Sequence, residues 1–161
     1  MKDDNKVLKI VYTFFLGLLL AIFIGLGVNT FYPSPQAPDY PTSASIYGKE
    51  PSEQDIEEQR EFETASRSHQ ENLKPYNRNV SIITLVAAVL LLAISVIFEK
   101  KIKVIADGVM LGGLFTLVYS IGRGIASEDS KYVFAAVTIG LAIVLYLGYH
   151  RFAKPEKNPK K

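Results

Sequence analysis

The sequence contains no cysteine and no tryptophan among its 161 residues. The missing cysteine excludes disulfide bonds, cysteine-ligated zinc, iron–sulfur clusters and a lipid-modified cysteine anchor. Without tryptophan, any aromatic belt at a membrane surface has to be built from the nine tyrosines and nine phenylalanines.

Recognisable catalytic and nucleotide-binding motifs are also missing. The chain has no G-x-S-x-G, no H-E-x-x-H, no P-loop and no G-x-G-x-x-G pattern. Its net charge of +2 is too small to indicate a nucleic-acid partner. We therefore expect no enzymatic activity, no catalytic residues, no cofactor and no metal site.

Charged residues are unevenly distributed, although they make up 21% of the chain and hydrophobic residues 48%. The apolar residues form four runs close to the roughly 20 residues that a helix needs to cross about 30 Å of hydrocarbon. The runs are continuous rather than alternating, which excludes membrane β-strands. The predicted fold class is an all-α integral membrane protein with four transmembrane helices and a long extracytoplasmic loop between helices 1 and 2.

Lysine and arginine in the short flanks indicate the orientation, because they favour the cytoplasmic side. The N-terminus, the link between the second and third runs, and the C-terminal tail are all basic, whereas the long loop has nine carboxylates against five basic residues. The predicted order is a cytoplasmic N-terminus 1–6, TM1 7–31, an extracytoplasmic loop 32–79, TM2 80–98, a cytoplasmic link 99–103, TM3 104–125, an extracytoplasmic link 126–131, TM4 132–152 and a basic cytoplasmic tail 153–161.

The first run has a competing interpretation as a cleaved signal peptide. Signal h-regions are about 7–15 residues long and end at a small-residue cleavage site. The run over 7–31 is longer, and "GVNTFYPSP" offers no clean site of this kind. An uncleaved anchor is the favoured interpretation.

The long loop has two parts. Residues 33–41 are proline-rich, which predicts an extended spacer that begins beside an aromatic belt of Phe31 and Tyr32. A surface helix is predicted over about 52–74, with Pro75 breaking or kinking it before TM2. A weak apolar stripe on this helix comprises Phe62, Ala65, His69 and Leu73. The helix either docks a partner or is simply solvated.

Small residues recur every four positions in the runs, a pattern typical of close helix packing in membranes. A strict four-residue step drifts about 40° per step around a helix, so the stripe on TM3 is expected to wrap around it. Either the stripes pack the four helices of one chain, or the TM3 stripe contacts a second copy or another membrane protein. The candidates are Gly108, Gly112, Thr116, Ser120 and Gly124 in TM3, Gly17, Ala21 and Gly25 in TM1, Ser81, Thr84, Ala88 and Ser95 in TM2, and Ala136, Gly140 and Gly148 in TM4.

Two ionisable residues lie near the ends of TM3. Asp107 is expected to pair with Lys103 or a nearby lysine, or to cap the helix start, with an ion or proton site as the alternative. Arg123 is expected to anchor the opposite interface or to pair with Glu128 or Asp129. No ionisable residue occupies the middle of any run, and no proline interrupts one.

These features favour a non-enzymatic structural, scaffold or interaction subunit of a membrane, which presents an acidic outer loop. The expected partners are the lipid bilayer, a second copy or a membrane protein through TM3, and an extracytoplasmic partner for the loop. A small oligomeric channel or transporter is the alternative, and a membrane-embedded enzyme is a weaker one. Small size, short loops and the missing cysteine suggest a bacterial cytoplasmic membrane.

Overall fold

A computed structural model describes residues 4–39 and 52–153. Its helices are α1 (Asp4–Phe31), α2 (Glu53–Phe98), α3 (Lys103–Ile125) and α4 (Ser130–Gly148), followed by a π-helical turn (Tyr149–Ala153). No strand occurs in these ranges. All four helices are long and apolar enough to cross a membrane. The prediction of an all-helical chain with four such helices is confirmed.

Helix α3 is the centre of the bundle. It packs against α1, α2 and α4, whereas α1 has little contact with α2. Each helix has a most apolar stretch of 18 residues. In α3, 39% of that stretch is buried inside the bundle, but in α1 only 6% is. The outward faces of α1 and α4 carry large exposed apolar side chains such as Phe23 and Phe134. Surfaces of this kind suit lipid rather than water.

Helix α2 differs from the expectation of two separate helices on either side of Pro75. It runs without a break for 46 residues, about 69 Å at 1.5 Å per residue, with Pro75 inside it. Proline removes one intrahelical N–H donor, leaving the carbonyl of Glu71 without that bond. Pro75 and Glu71 are both exposed, so this carbonyl has access to solvent.

The N-terminus of α2 is fixed by a capping box. The Ser52 hydroxyl accepts a hydrogen bond from the Asp55 N–H, and the Ser52 N–H donates to the Asp55 carboxylate. The Ser52 hydroxyl also donates to the Asp55 carboxylate at 2.8 Å, and this bond, followed by the one from the Ser52 N–H, holds the pKa of Asp55 below its ordinary value. The capped segment Glu53–Lys74, with seven carboxylates and three basic residues, is called the acidic stalk below.

The proline-rich segment is described only as far as Asp39, where residues 33–39 form neither helix nor strand. Tyr40 and Pro41, the rest of the loop to residue 51, and the basic tail from residue 154 lie outside the described residues. Helix α1 ends at Phe31, just before Pro33, as the sequence indicated. Helix α4 gives way to the π-helical turn within the predicted TM4.

The helices run alternately up and down, so the bundle has two distinct ends. The basic end holds the start of α1, the α2–α3 link and the end of α4, where Lys9, Glu99 and Arg151 lie. The loop end holds Tyr32 and the α3–α4 link, where Glu128 adopts a left-handed conformation with φ 57°. The acidic stalk extends α2 beyond the loop end.

Candidate functional site

The face of α3 toward α1 includes glycines that receive leucine side chains of α1. A Cβ placed on Gly108 would lie 2.6 Å from Cδ2 of Leu16, and one on Gly112 would lie 3.0 Å from Cβ of Leu20. A Cβ on Gly17 would lie 3.0 Å from the backbone nitrogen of Gly112. Backbones this close leave no room for a side chain, so these three glycines are required for the observed helix spacing.

The face of α3 toward α2 is instead joined by hydroxyl groups. The Ser81 hydroxyl donates to the Ser120 carbonyl at 2.6 Å, and the Ser120 hydroxyl donates to the Ser81 carbonyl at 2.8 Å. From α4, the Tyr132 hydroxyl donates to the Ser81 hydroxyl at 2.7 Å. Gly124 makes space for this junction, since a Cβ there would lie 3.1 Å from Oγ of Ser81.

The threonine hydroxyls of this face donate hydrogen bonds to carbonyls of their own helices. Thr84 donates to the carbonyl of Val80, and Thr116 donates to the carbonyl of Gly112. Thr84 and Thr116 are at most 1% exposed, and Ser81 and Ser120 are fully buried. The seam between α2 and α3 is therefore closely packed and leaves these hydroxyls no room for water.

The small-residue stripe of α3 turns around the helix. Its first two members, Gly108 and Gly112, face α1, whereas Ser120 faces α2 and Gly124 faces both α2 and Tyr132 of α4. The stripe is covered by helices of its own chain. Gly113, next to the stripe, receives Leu92 of α2.

Not all small residues of the other helices have such neighbours. Gly25 and Gly148 have open space where a Cβ would project, and Ala21 is half-buried. Gly140 of α4 receives Leu117, and Ala136 is buried. In α2, Ala88 is buried beside Gly113, and Ser95 donates to its own helix at the Leu92 carbonyl.

Arg123 contacts aromatic rings rather than its predicted partners Glu128 or Asp129. Its guanidinium carbon lies 5.3 Å from the ring centroid of Tyr76 and 5.9 Å from that of Tyr119. These are cation–π distances. Arg123 therefore lies against two tyrosine rings at the loop end.

The two carboxylates of the α3–α4 link pair instead with cations of α2. Lys74 Nζ lies 2.6 Å from Glu128, and Arg78 Nη1 lies 3.5 Å from Asp129. The hydrogen bond with Glu128 raises the pKa of Lys74. The pKa of Asp129 is lowered, first by the N–H of Tyr132, which Asp129 caps at the start of α4. Lys74 and Arg78 are both exposed on α2 at the loop end.

A tyrosine stack ties the end of α1 to α2 at the same end of the bundle. The rings of Tyr32 and Tyr76 are parallel within 9° with centroids 5.3 Å apart. The Tyr76 hydroxyl donates to the Tyr32 carbonyl, and Asn79 donates to the Tyr32 hydroxyl. Asn77 donates to the Ala126 carbonyl at 3.1 Å, which links α2 to the end of α3. Tyr32, which was predicted to belong to an aromatic belt, therefore joins the end of α1 to α2.

Among the described residues, Asp107 neither pairs with Lys103 or a nearby lysine nor caps the start of α3, the two roles predicted for it. Its ion-pair partner is Arg151, from the π-helical turn after α4, and Arg151 also lies 3.7 Å from Glu99. Arg151 additionally donates to the sulfur of Met110. Asp107 and Arg151 are 44 positions apart in the sequence, so local spacing could not identify this pair.

Within the described ranges, no group of three His, Cys, Asp or Glu side chains is arranged to hold a metal ion. The acidic stalk exposes most of its residues. Phe62, Ser66, His69 and Leu73 form its half-buried stripe, whereas the predicted Ala65 is exposed. The spacing of this stripe continues into the buried residues Tyr76 and Val80 of the bundle.

Comparisons with protein-family models, with curated proteins and with solved structures find no match for this chain. Its class therefore rests on the fold alone: an all-helical protein with four helices apolar enough to span a membrane and one helix extended by an acidic stalk.

Proposed function

We propose that this chain is a non-enzymatic subunit of a cell membrane that presents the acidic stalk to a partner with a basic surface. The observation that carries the proposal is the unbroken 46-residue helix α2. It joins the stalk to the packed α2–α3 seam without an intervening loop.

The charge of the stalk defines the partner chemistry. Seven carboxylates and three basic residues give Glu53–Lys74 a clear negative excess. Complementary charge governs partner choice and the rate of encounter more than final affinity. A basic protein surface outside the membrane is the partner that this charge favours.

The proposed orientation places both termini in the cytoplasm and the stalk outside. Lys9, Lys103 and Arg151 lie at the basic end, opposite the stalk. Basic segments favour the cytoplasmic side of membranes. A bacterial cytoplasmic membrane remains the proposed location.

The channel or transporter alternative has less support. The hydroxyl residues that would line a polar path bond to one another or to their own helices and are almost fully buried. A pore between several copies would need polar residues on outward faces. Those faces in α1 and α4 are rich in exposed apolar residues, including Phe23, Leu145 and Tyr146.

The absence of native cysteine makes orientation directly testable. Single substitutions Ser68→Cys on the stalk and Lys101→Cys in the α2–α3 link can be exposed to a membrane-impermeant maleimide in intact cells. We expect labelling at position 68 and none at position 101 until the membrane is opened. The reverse pattern would overturn the orientation.

The partner is tested by a photo-crosslinking amino acid at position 68 in native membranes. We expect one discrete crosslinked species that disappears at high salt and when Glu57, Glu58 and Glu61 are changed to Gln. A matched probe at Leu145, which is 64% exposed on α4, should not give that species. The same product at both positions, or none at position 68, would contradict the proposed partner surface.

A further inference from the structure

A groove opens between α1 and α3 at the basic end of the bundle. Its volume is about 450 Å³. Apolar side chains make up most of its surface, and two lysines, one from each helix, lie on its walls. Its lining residues include Lys9, Ile10, Phe14, Lys103, Asp107 and Leu111.

The groove has a simple origin in the sequence. The α1–α3 contact is tight where Gly17 meets Gly112. Residues 7–16 of α1 contain no glycine or alanine, so the helices cannot approach as closely there. The Thr13 hydroxyl reaches the Val104 carbonyl only at 3.5 Å, at the limit of a hydrogen bond.

The charge of the groove is positive. Lys9 and Lys103 are exposed, and neither forms an ion pair with another residue in the described part of the chain. Asp107 also lines the groove, and its carboxylate is ion-paired with Arg151, which Glu99 approaches as well at 3.7 Å. Two uncompensated ammonium groups thus lie beside an apolar wall.

We propose that this groove binds one anionic phospholipid, with its phosphate between Lys9 and Lys103 and an acyl chain along Ile10, Phe14 and Leu111. Basic pockets between membrane helices recognise anionic headgroups in this way. The apolar wall selects a lipid over a free anion, because only a lipid supplies a chain to cover it. The inference rests on the proposed membrane insertion, but not on the proposed partner of the stalk.

The missing tryptophan provides a clean experiment with the full chain. The variant Ile10→Trp places a single fluorophore at the groove, and Phe14→Trp is a second reporter of nearly conserved shape. Tyr146→Trp is the matched control, because Tyr146 is 63% exposed on α4 toward the same end of the bundle. Each variant is reconstituted in phosphatidylcholine bilayers with equal fractions of brominated phosphatidylglycerol or brominated phosphatidylcholine.

The groove reporters should be quenched by brominated phosphatidylglycerol with a preference on the order of tenfold over phosphatidylcholine, as expected for two lysines near a headgroup. The Tyr146→Trp control should show almost no preference. Equal quenching of groove and control reporters by the two lipids would overturn the proposal. If neither lipid quenches the control, the chain is not inserted, and the membrane proposal itself fails.

Charge neutralisation distinguishes a site from a diffuse basic surface. In the Ile10→Trp background, Lys9→Gln with Lys103→Gln should abolish the lipid preference. Lys100→Gln with Lys101→Gln removes the same charge from the neighbouring link and should leave most of the preference. Equal loss in both double variants would show diffuse attraction and contradict a bound lipid. Circular dichroism identifies any variant that fails to fold.

Discussion

The two faces of α3 use different interactions to hold their neighbours. Toward α1, glycines accept leucine side chains, and among the described residues the only side-chain hydrogen bond between α1 and α3 is the long one from Thr13. Toward α2, Ser81 and Ser120 exchange two hydrogen bonds and Tyr132 adds a third. The α1 face is therefore held mainly by shape and the α2 face largely by polar groups.

The difference matters because lipid chains are as apolar as leucine. In lipid, helices gain little from hiding apolar surface and associate through close packing and hydrogen bonds. The glycine contacts toward α1 depend on the backbones remaining near each other. The serine exchange is satisfied in only one register of α2 against α3, so it specifies how these two helices align.

The largest expected effect on stability comes from placing a side chain at Gly17, where α1 packs against α3. Gly17→Val should lower the free energy of unfolding by about 1–3 kcal/mol, because its Cβ would lie 2.9 Å from Cβ of Leu111 and close to the Gly112 backbone. Denaturation in detergent, followed by circular dichroism, measures this loss. Gly25→Val is the control and should change stability little, since nothing lies within 4 Å of its Cβ position. Equal losses would show that the glycine contact is not specific.

A smaller effect is expected on the polar face. Ser81→Ala should cost on the order of 1 kcal/mol and more than Ser120→Ala, because Ser81 both donates to Ser120 and accepts from Tyr132. Tyr132→Phe should cost stability in the native background but almost nothing once Ser81 is alanine. This double-mutant cycle, measured by the same denaturation, would contradict the junction if the two substitutions were additive.

The smallest effect on stability is expected from a change at Asp129, which caps the start of α4. The pKa of Asp129 lies below its ordinary value of 3.8, so its contribution to stability is present above that pH and is lost as the pH falls through the lowered value. Asp129→Asn keeps a capping side chain but not the charge. The small stability difference between wild type and this variant should persist from pH 7 to 5, begin to shrink near the ordinary value of 3.8 and vanish only below the lowered pKa of Asp129. A difference independent of pH would show that the charge is not involved.

Much of the fold follows from local sequence. Continuous apolar runs predict the four helices, and the four-residue spacing from Gly108 to Gly124 predicts a stripe that turns around α3. The polar partners were not predictable in this way. Arg123 lies against Tyr76 and Tyr119 rather than beside a nearby carboxylate, because Lys74 and Arg78 of α2 already hold both carboxylates of the link.

Sequence alone determined which segments are helical and which faces carry small residues, because hydropathy and residue size are local properties with a helical period. Tertiary structure decided which helix each face meets, that Asp107 pairs with Arg151, and that α2 continues through Pro75. The physical reason is that an ion pair or a tight contact depends on distances between residues far apart in the chain. Those distances are fixed only when α1, α2 and α4 pack around α3.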